Sequence, residues 1–281
     1  MGRRKILFFD IDGTLWTMDG HIPESTREAI RRVRENGHLV FINSGRTRGY
    51  IRDPKLFTLG LDGVVSGCGT MIEANALCRG VSDRREDISP ETDAENVIFY
   101  RKMSDEEALR IVDTVRRYRM KPILEGRDYL YMDPEEFAGD RYAEYVRHQM
   151  GDALRSINGN RGNWEISKIS CDMKDADREA CFAELGDAYT MIVHNEAVVE
   201  MVPKGFDKGT GISEVCELLG TDIKDTYAFG DSMNDLEMIE AAGCGVVMGG
   251  GAEAVKKKAD FVTKDLRDDG IYYACRELGL L

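Results

Sequence analysis

The stretch Phe8-Phe9-Asp10-Ile11-Asp12-Gly13-Thr14-Leu15 decides the architecture of this chain. Lys5–Phe9 is a short, mostly apolar run, the pattern of a strand buried on both faces of a parallel sheet. Two carboxylates follow at alternate positions. Side chains alternate along a strand, so Asp10 and Asp12 leave its end toward the same side. Gly13 then lets the chain turn away tightly. Two acids so placed repel each other unless a cation or a shared proton compensates. Taken alone, Asp-x-Asp-Gly fits an acidic turn, since Asp and Gly are ordinary turn residues. It also fits the opening of a calcium loop, although the third acid and the closing Glu are missing. The residues downstream decide between these and a catalytic pair.

The 281 residues suffice for one large domain or two modest ones, and 42% hydrophobic with 32% charged residues is a globular composition. No apolar run reaches the length of a membrane span, and the basic start Arg3-Arg4-Lys5 leads into a run too short for a signal peptide. A net charge of −13 disfavours a nucleic-acid partner and an anionic membrane surface. It leaves room for a small anionic substrate, because a metal ion and a few placed cations set the local field. The seven cysteines form no Cys-x-x-Cys pair, so reduced, buried thiols and a cytoplasmic location are expected. The four histidines are scattered without metal-site spacing.

Pro23–Asn36 carries Ala29, Ile30 and Val33 on one face and ends at Gly37, which predicts a helix. His38–Ile42 is a second short strand, running into Asn43-Ser44-Gly45-Arg46, and Gly63–Ser66 a third. Strands alternating with helices predict a parallel, doubly wound sheet, an α/β fold of Rossmann type. Val81–Asn96 is polar and acidic and reads as a linker. Beyond it come a strand at Val97–Arg101, a helix opened by the capping box Ser104-Asp105-Glu106-Glu107, and a hairpin around Glu125–Asp128. A helix at Glu135–Met150, a loop at Asp152–Asn163, a strand at Trp164–Cys171, a helix at Asp175–Leu185, and strands at Thr190–His194 and Ala197–Val202 follow. These form an inserted α+β module. The α/β rhythm then returns, with helices at Lys208–Leu219, Met233–Ala242, Ala252–Lys258 and Asp269–Leu278, and strands at Thr226–Gly230 and Val246–Met248. The expected division is therefore 1–82 with 203–281 as core and 83–202 as insert.

Four clusters fall where core strands end: Asp10-Ile11-Asp12-Gly13, Asn43-Ser44-Gly45-Arg46, Lys208-Gly209, and Gly230-Asp231-Ser232-Met233-Asn234-Asp235. Ligands of open parallel sheets bind at the carboxyl ends of the strands, so the four should meet. Together, and in this order, they resemble the motifs of the haloacid dehalogenase superfamily, nearest its Cof-type sugar-phosphatase branch with a large cap of type C2. The tail Gly249–Ala252, Lys258-Ala259-Asp260 and Asp269-Gly270 resembles that branch as well.

The resemblance implies a magnesium-dependent phosphatase acting on a small phosphorylated metabolite. Asp10 would be the nucleophile, forming an aspartyl-phosphate, and Asp12 the acid and then the base. Mg2+ would be held by the Asp10 carboxylate, the Asp12 main-chain carbonyl and the Asp231 carboxylate, with Asn234 and Asp235 in the surrounding shell. Ser44 and the Gly45 amide would hold phosphoryl oxygens, Lys208 would neutralise charge, and Gly13, Arg46 and Asn234 are further substrate-binding candidates. The insert would act as a lid, with the hairpin Glu125–Asp128 a candidate for substrate contact. One departure stands out: the branch carries Asn-Gly-Ala after the third core strand, where this chain has Cys68-Gly69-Thr70. A phosphomutase is the nearest alternative, and a binding protein without catalysis a third. No motif bears on oligomeric state, and a monomer and a homodimer both fit.

Overall fold

The structure, a computed structural model, describes residues 3–137 and 141–281. The first strand, β1 (Ile6–Phe9), has all four side chains fully buried. Helix α1 (Glu24–Glu35) buries Thr26, Ala29, Ile30 and Val33 and leaves Arg31 exposed, while Arg34 turns inward to the buried Asp62. It leads to β2 (Leu39–Asn43), the short α2 (Pro54–Phe57), β3 (Gly63–Ser66), β4 (Met71–Ala74) and β5 (Val97–Tyr100). Helix α3 (Asp105–Arg117) opens on the Ser104/Glu107 capping box that its sequence predicts. There follow β6 (Lys121–Glu125), β7 (Leu130–Tyr131), α4 (Arg141–Met150), β8 (Leu154–Arg155), β9 (Lys168–Asp172), α5 (Arg178–Leu185), β10 (Tyr189–Val193) and β11 (Val198–Pro203). The helix expected over Glu135–Met150 is a turn at Pro134–Phe137 and then α4; its residues 138–140 lie outside the described residues. The chain closes with α6 (Lys208–Leu219), β12 (Thr226–Gly230), α7 (Leu236–Ala241), β13 (Cys244–Val247), α8 (Glu253–Lys256), β14 (Phe261–Val262) and α9 (Gly270–Glu277).

Contacts divide the chain into two compact units. The first holds the chain up to Gly45, Asp53–Tyr100 and Asp207–Leu281. Its eight-stranded sheet runs β14-β13-β12-β1-β2-β3-β4-β5. The first six are parallel, while β4 and β5 add an antiparallel edge that the strand–helix alternation did not predict. Strand order reverses beside β1, where the chain that went out through β2 and β3 returns as β12. Phe9 is level with both Ile42 and Phe229, so the residues after β1, β2 and β12 emerge along one edge at the switch point. Phe9 stacks on Phe229 with ring centroids 4.5 Å apart, which fixes the two central strands against each other.

The second unit comprises Arg46–Arg52 and Arg101–Phe206. Its six-stranded sheet runs β10-β11-β9-β6-β7-β8, antiparallel except for β7 with β8. One face, through Leu124, Ile169, Cys171, Val199 and Met201, packs on α3 and α5. On the other, Ile123 and Leu130 pack with α4 residues Val146 and Met150. The same alternation puts Glu125, Lys168, Ser170 and Glu200 on that second face. Lys168 Nζ is 2.7 Å from Glu200 and 3.4 Å from Glu125. Burial opposes ionisation of Glu200, but Lys168, then His194, hold its carboxyl at about 2.

The observed units differ from the expected division at three places. Strand β5 belongs to the first unit, because Ile72 pairs with Phe99 and Met71 with Tyr100. The stretch read as a linker is fastened to that unit too: Ile88 N donates to Leu61 O at 2.9 Å and Asn75 Nδ2 to Glu86 O at 2.7 Å. Residues Arg46–Arg52 go with the second unit, where Gly49 N donates to Gly126 O at 3.1 Å and Thr47 Oγ1 to Glu125 Oε2 at 3.3 Å. The return comes at Asp207, since Lys204 N still donates to Ala188 O at 2.9 Å.

The fully buried Asp62 anchors the former linker. It accepts from Val40 N at 3.0 Å and Asn75 Nδ2 at 3.2 Å, and both Arg34 and Arg85 lie 3.2 Å away. Asp62→Ala takes the buried partner from two guanidinium groups, which keep Asp87 and main-chain carbonyls, and leaves the Val40 N–H without its side-chain acceptor, an expected loss of about 3 kcal/mol, or roughly 6–12 °C in Tm. Urea and thermal unfolding measure it; a loss below about 1 kcal/mol would remove this cluster from the account of the fold.

All seven cysteines are free thiols, and all but the half-buried Cys244 are buried. Among the described residues, no helix is long and apolar enough to cross a membrane.

Candidate active site

After β1 the chain folds back on itself. Leu15 N donates to Ile11 O at 3.1 Å, Trp16 N to Ile11 O at 3.2 Å, and Gly13 N to Trp16 O at 2.9 Å. Gly13 sits at φ +87°, and a Cβ there would lie 2.6 Å from Asp231 Oδ2, so both backbone and space demand glycine. The turn presents three side chains besides Asp10. Thr14 Oγ1 donates to Asp231 Oδ1 at 3.0 Å, the Trp16 indole Nε1–H donates to Asp12 Oδ1 at 2.9 Å, and Asp12 itself is half-buried.

Lys208 is the first residue of α6. Asp207 caps that helix and Thr210 closes the capping box. A cation at a helix N-terminus runs against the helix dipole, and this one is only 2% exposed, so it must be paired. Its Nζ donates to Asp10 Oδ1 at 2.7 Å and to Asp235 Oδ1 at 2.6 Å. Burial works against the ammonium, but these two carboxylates outweigh it and hold its pKa above the usual lysine range. Asn43 Nδ2 donates to the Lys208 carbonyl at 2.8 Å, tying the end of β2 to the start of α6.

Beyond β12, Asp235 Oδ2 accepts from Asp231 N and from Ser232 N, each at 2.9 Å. Asp235 thus holds the turn and Lys208 together. Ligand oxygens of Asp10, Asp231 and Asp235 lie within 4.8 Å of one another. Within that group three carboxylates face one ammonium. Burial, then the neighbouring Asp235 charge, push Asp10 up from 3.8 to about 7 in spite of Lys208. Burial and Asp235 likewise push Asp231 up from 3.8 to about 6. A hard-oxygen set with two negative charges in excess fits a divalent cation such as Mg2+. Asp10 and Asp231 are suited to direct ligation, while both oxygens of Asp235 are already engaged.

The sequence profile of the haloacid dehalogenase-like hydrolases matches residues 7–84 and 87–275. This chain belongs to that family. With membership goes the enzyme class, a hydrolase of the phosphatase type. YkrA of Bacillus subtilis (strain 168), a protein that carries a phosphatase name, is 32% identical over 288 residues, covering 99% of this chain and 98% of its own. From the same organism, the 5-amino-6-(5-phospho-D-ribitylamino)uracil phosphatase YitU is 25% identical over 95% of this chain and 94% of its own. Among solved structures, a protein from Geobacillus kaustophilus HTA426 aligns with TM-score 0.78 at 27% identity, covering 99% of this chain and all of that one. The subclass IIB sugar phosphatase BT4131 aligns with TM-score 0.75 at 24% identity, covering 99% of this chain and 100% of its own, a likeness of fold.

Within this haloacid dehalogenase-like hydrolase, Asp10, Lys208, Asp231 and Asp235 meet in the first unit, with Asp12 on the same turn as Asp10. Ser44 and Gly45 are buried at the end of β2. Ser44 N donates to Val65 O at 2.9 Å and its carbonyl accepts from Cys68 N at 3.1 Å. Cys68 is 4% exposed, has φ +55°, and braces Ser44 through its backbone. Asn234 Oδ1 accepts from Ser232 Oγ at 2.5 Å, on the turn before α7.

The structure places three further candidates. Gly13 was a substrate-binding candidate, but its N–H is bonded within the turn and its place is set by the approach of Asp231. Arg46 falls in the second unit, its guanidinium 4.9 Å over the Tyr50 ring. In the hairpin, Glu125 is 3% exposed and bonded to Ser170 and Thr47, while Arg127 pairs with Asp128 and Glu165. Sequence reasoning passed over Thr14, Trp16 and Asn43. The signal for each was a hydrogen-bonding side chain within an otherwise apolar strand end or turn.

Proposed function

We propose that this enzyme hydrolyses a small phosphorylated metabolite through an aspartyl-phosphate on Asp10, with Mg2+ as its metal. The observation that carries the reading is the Lys208 ammonium held between Asp10 and Asp235, beside Asp231, at the strand ends where the sheet reverses direction. The pair presents Asp10 in a fixed orientation, one carboxylate oxygen bound to the ammonium and the other available for attack. That oxygen forms a bond to phosphorus as the bond to the leaving oxygen breaks. Asp12 gives its proton to the departing oxygen, which leaves as an alcohol. Asp12 then takes a proton from water, which attacks the acyl phosphate and restores Asp10. Lys208 keeps its charge throughout and offsets that of the phosphoryl oxygens, with Ser44 and the Gly45 amide as further donors. A divalent cation held by Asp10, the Asp12 carbonyl and Asp231 supplies neutralisation of the facing carboxylates and phosphate. Asn234 and Asp235 orient the groups around it. The second unit is proposed to act as the lid and to supply selectivity.

YitU's phosphorylated ribitylamino-uracil and the sugar phosphatase among the solved relatives support phosphate monoesters of sugars and polyols as the substrate class. Phosphate release from a panel of sugar phosphates, nucleotides and phosphorylated cofactors, with Mg2+ and with EDTA, tests this. The expected result is metal-dependent release concentrated on a few related compounds. No release from folded, magnesium-loaded protein would overturn it. An isomerised sugar phosphate without free phosphate would make the enzyme a phosphomutase.

The raised carboxyl groups add a pH prediction. Folding favours their protonated forms in metal-free protein, and this contribution is complete below the unfolded value near 4 and lost as pH rises through 6 and 7. Metal-free protein therefore loses stability across that window, and Mg2+ restores it by compensating the ionised forms. The Tm gain on adding Mg2+ should be several degrees near pH 8 and much smaller near pH 5.5, as differential scanning fluorimetry would show. A gain independent of pH would separate the metal from these carboxylates.

A further inference from the structure

We infer that Trp16 is a positioning residue for Asp12 that determines which of its two oxygens handles the transferred proton; this rests on Asp12 being the acid and base proposed above. The indole Nε1 lies 2.9 Å from Asp12 Oδ1. Indole N–H is a donor only and does not titrate, so Oδ1 is held as an acceptor whether Asp12 carries its proton or has given it away. The proton therefore resides on Oδ2, and the same oxygen takes one back from water in the second half of the reaction. A carboxyl on its own rotates about its Cβ–Cγ bond and offers either oxygen.

Trp16 is suited to hold it. It is 7% exposed, it has two side-chain torsions, and its backbone is bonded at both ends of the turn, N to Ile11 O at 3.2 Å and O to Gly13 N at 2.9 Å. Asp12 and Trp16 also pair as an isolated bridge, so the donor and the acid ride on one rigid loop.

The step under test is protonation of the leaving oxygen as the P–O bond breaks. An alkoxide needs that proton, whereas 2,4-dinitrophenolate leaves without it. Trp16→Phe keeps an aromatic ring, smaller than the indole, and removes the donor. With the alkyl phosphate that wild-type enzyme turns over fastest in the panel, kcat/KM should fall by about tenfold. With 2,4-dinitrophenyl phosphate the fall should stay under about threefold, and inhibition by inorganic phosphate should be unchanged. Equal losses with both esters, or no loss with the alkyl ester, would overturn the inference and leave Trp16 a packing residue. Asp12→Asn is run in parallel: if it lacks the same ester dependence, the role given to Asp12 has failed rather than that of Trp16. Should Trp16→Phe misfold, 3-benzothienylalanine at this position, which has sulfur in place of N–H on the same ring shape, makes the same comparison.

Discussion

Asp10→Asn should lower turnover of any phosphomonoester by at least about 10^4-fold while leaving the fold intact. Asparagine matches aspartate in shape, so the Lys208 contact and the packing at the end of β1 persist. What disappears is the oxygen nucleophile. The raised pKa of Asp10 sharpens the prediction: in metal-free protein near pH 8 an ionised Asp10 is a cost to folding, and a neutral amide avoids it. The variant should therefore be at least as stable as wild type in EDTA at that pH, even as activity vanishes. Thermal unfolding in EDTA reads the first half and phosphate release the second. Acid-quenched wild-type protein should yield a phosphorylated peptide containing Asp10, and the variant none. Activity within tenfold of wild type would rule out the covalent route.

Lys208→Met has the second largest expected effect. Methionine replaces the stem at similar volume but leaves Asp10, Asp231 and Asp235 with no ammonium among them. Two losses follow. Charge on the phosphoryl group is no longer offset from this side, an expected fall in kcat of roughly 10^3-fold. The pull that keeps Asp10 from rising further is also gone, so its ionisation in metal-free protein moves to higher pH. The direction is testable apart from activity. In EDTA the variant's stability should fall with pH at higher values than in wild type, and the Mg2+-induced rise in Tm near pH 8 should be larger. Retained kcat, or a Tm profile with the wild-type pH dependence, would show that Lys208 does not set the charge of the site.

These predictions rest on residues far apart in the chain. Asp10, Lys208 and Asp231 were legible because short-range chemistry marks each one: a strand end with alternate acids, a helix opening on lysine, an Asp-Ser start before a helix. Their order then matched a family. The boundaries were less legible. Val97–Tyr100 has the composition of any strand, and only pairing with Met71–Ala74 made it an edge of the first sheet. Arg46–Arg52 follows directly on the phosphate-binding motif and was read with it, yet its backbone bonds to the Gly126 hairpin and puts it in the second unit. Glu125 was read within a charged hairpin as a candidate for substrate contact; Lys168, Ser170 and Thr47, distant in sequence, enclose it.

The sequence by itself determined where most strands and helices of the α/β core form, which strand ends carry acids, and that the chain turns at Gly13 after Asp12. These depend on side-chain periodicity and backbone sterics, which act over a few residues. Tertiary structure alone decided that Asp10 shares the Lys208 ammonium with Asp235, and that burial and the Asp235 charge push the Asp10 and Asp231 carboxyl groups up to about 7 and about 6. It also turned the Trp16 indole onto Asp12. Such outcomes depend on burial and on distances between segments, and the strength of a charge–charge contact changes several-fold with the dielectric that the folded protein creates around it.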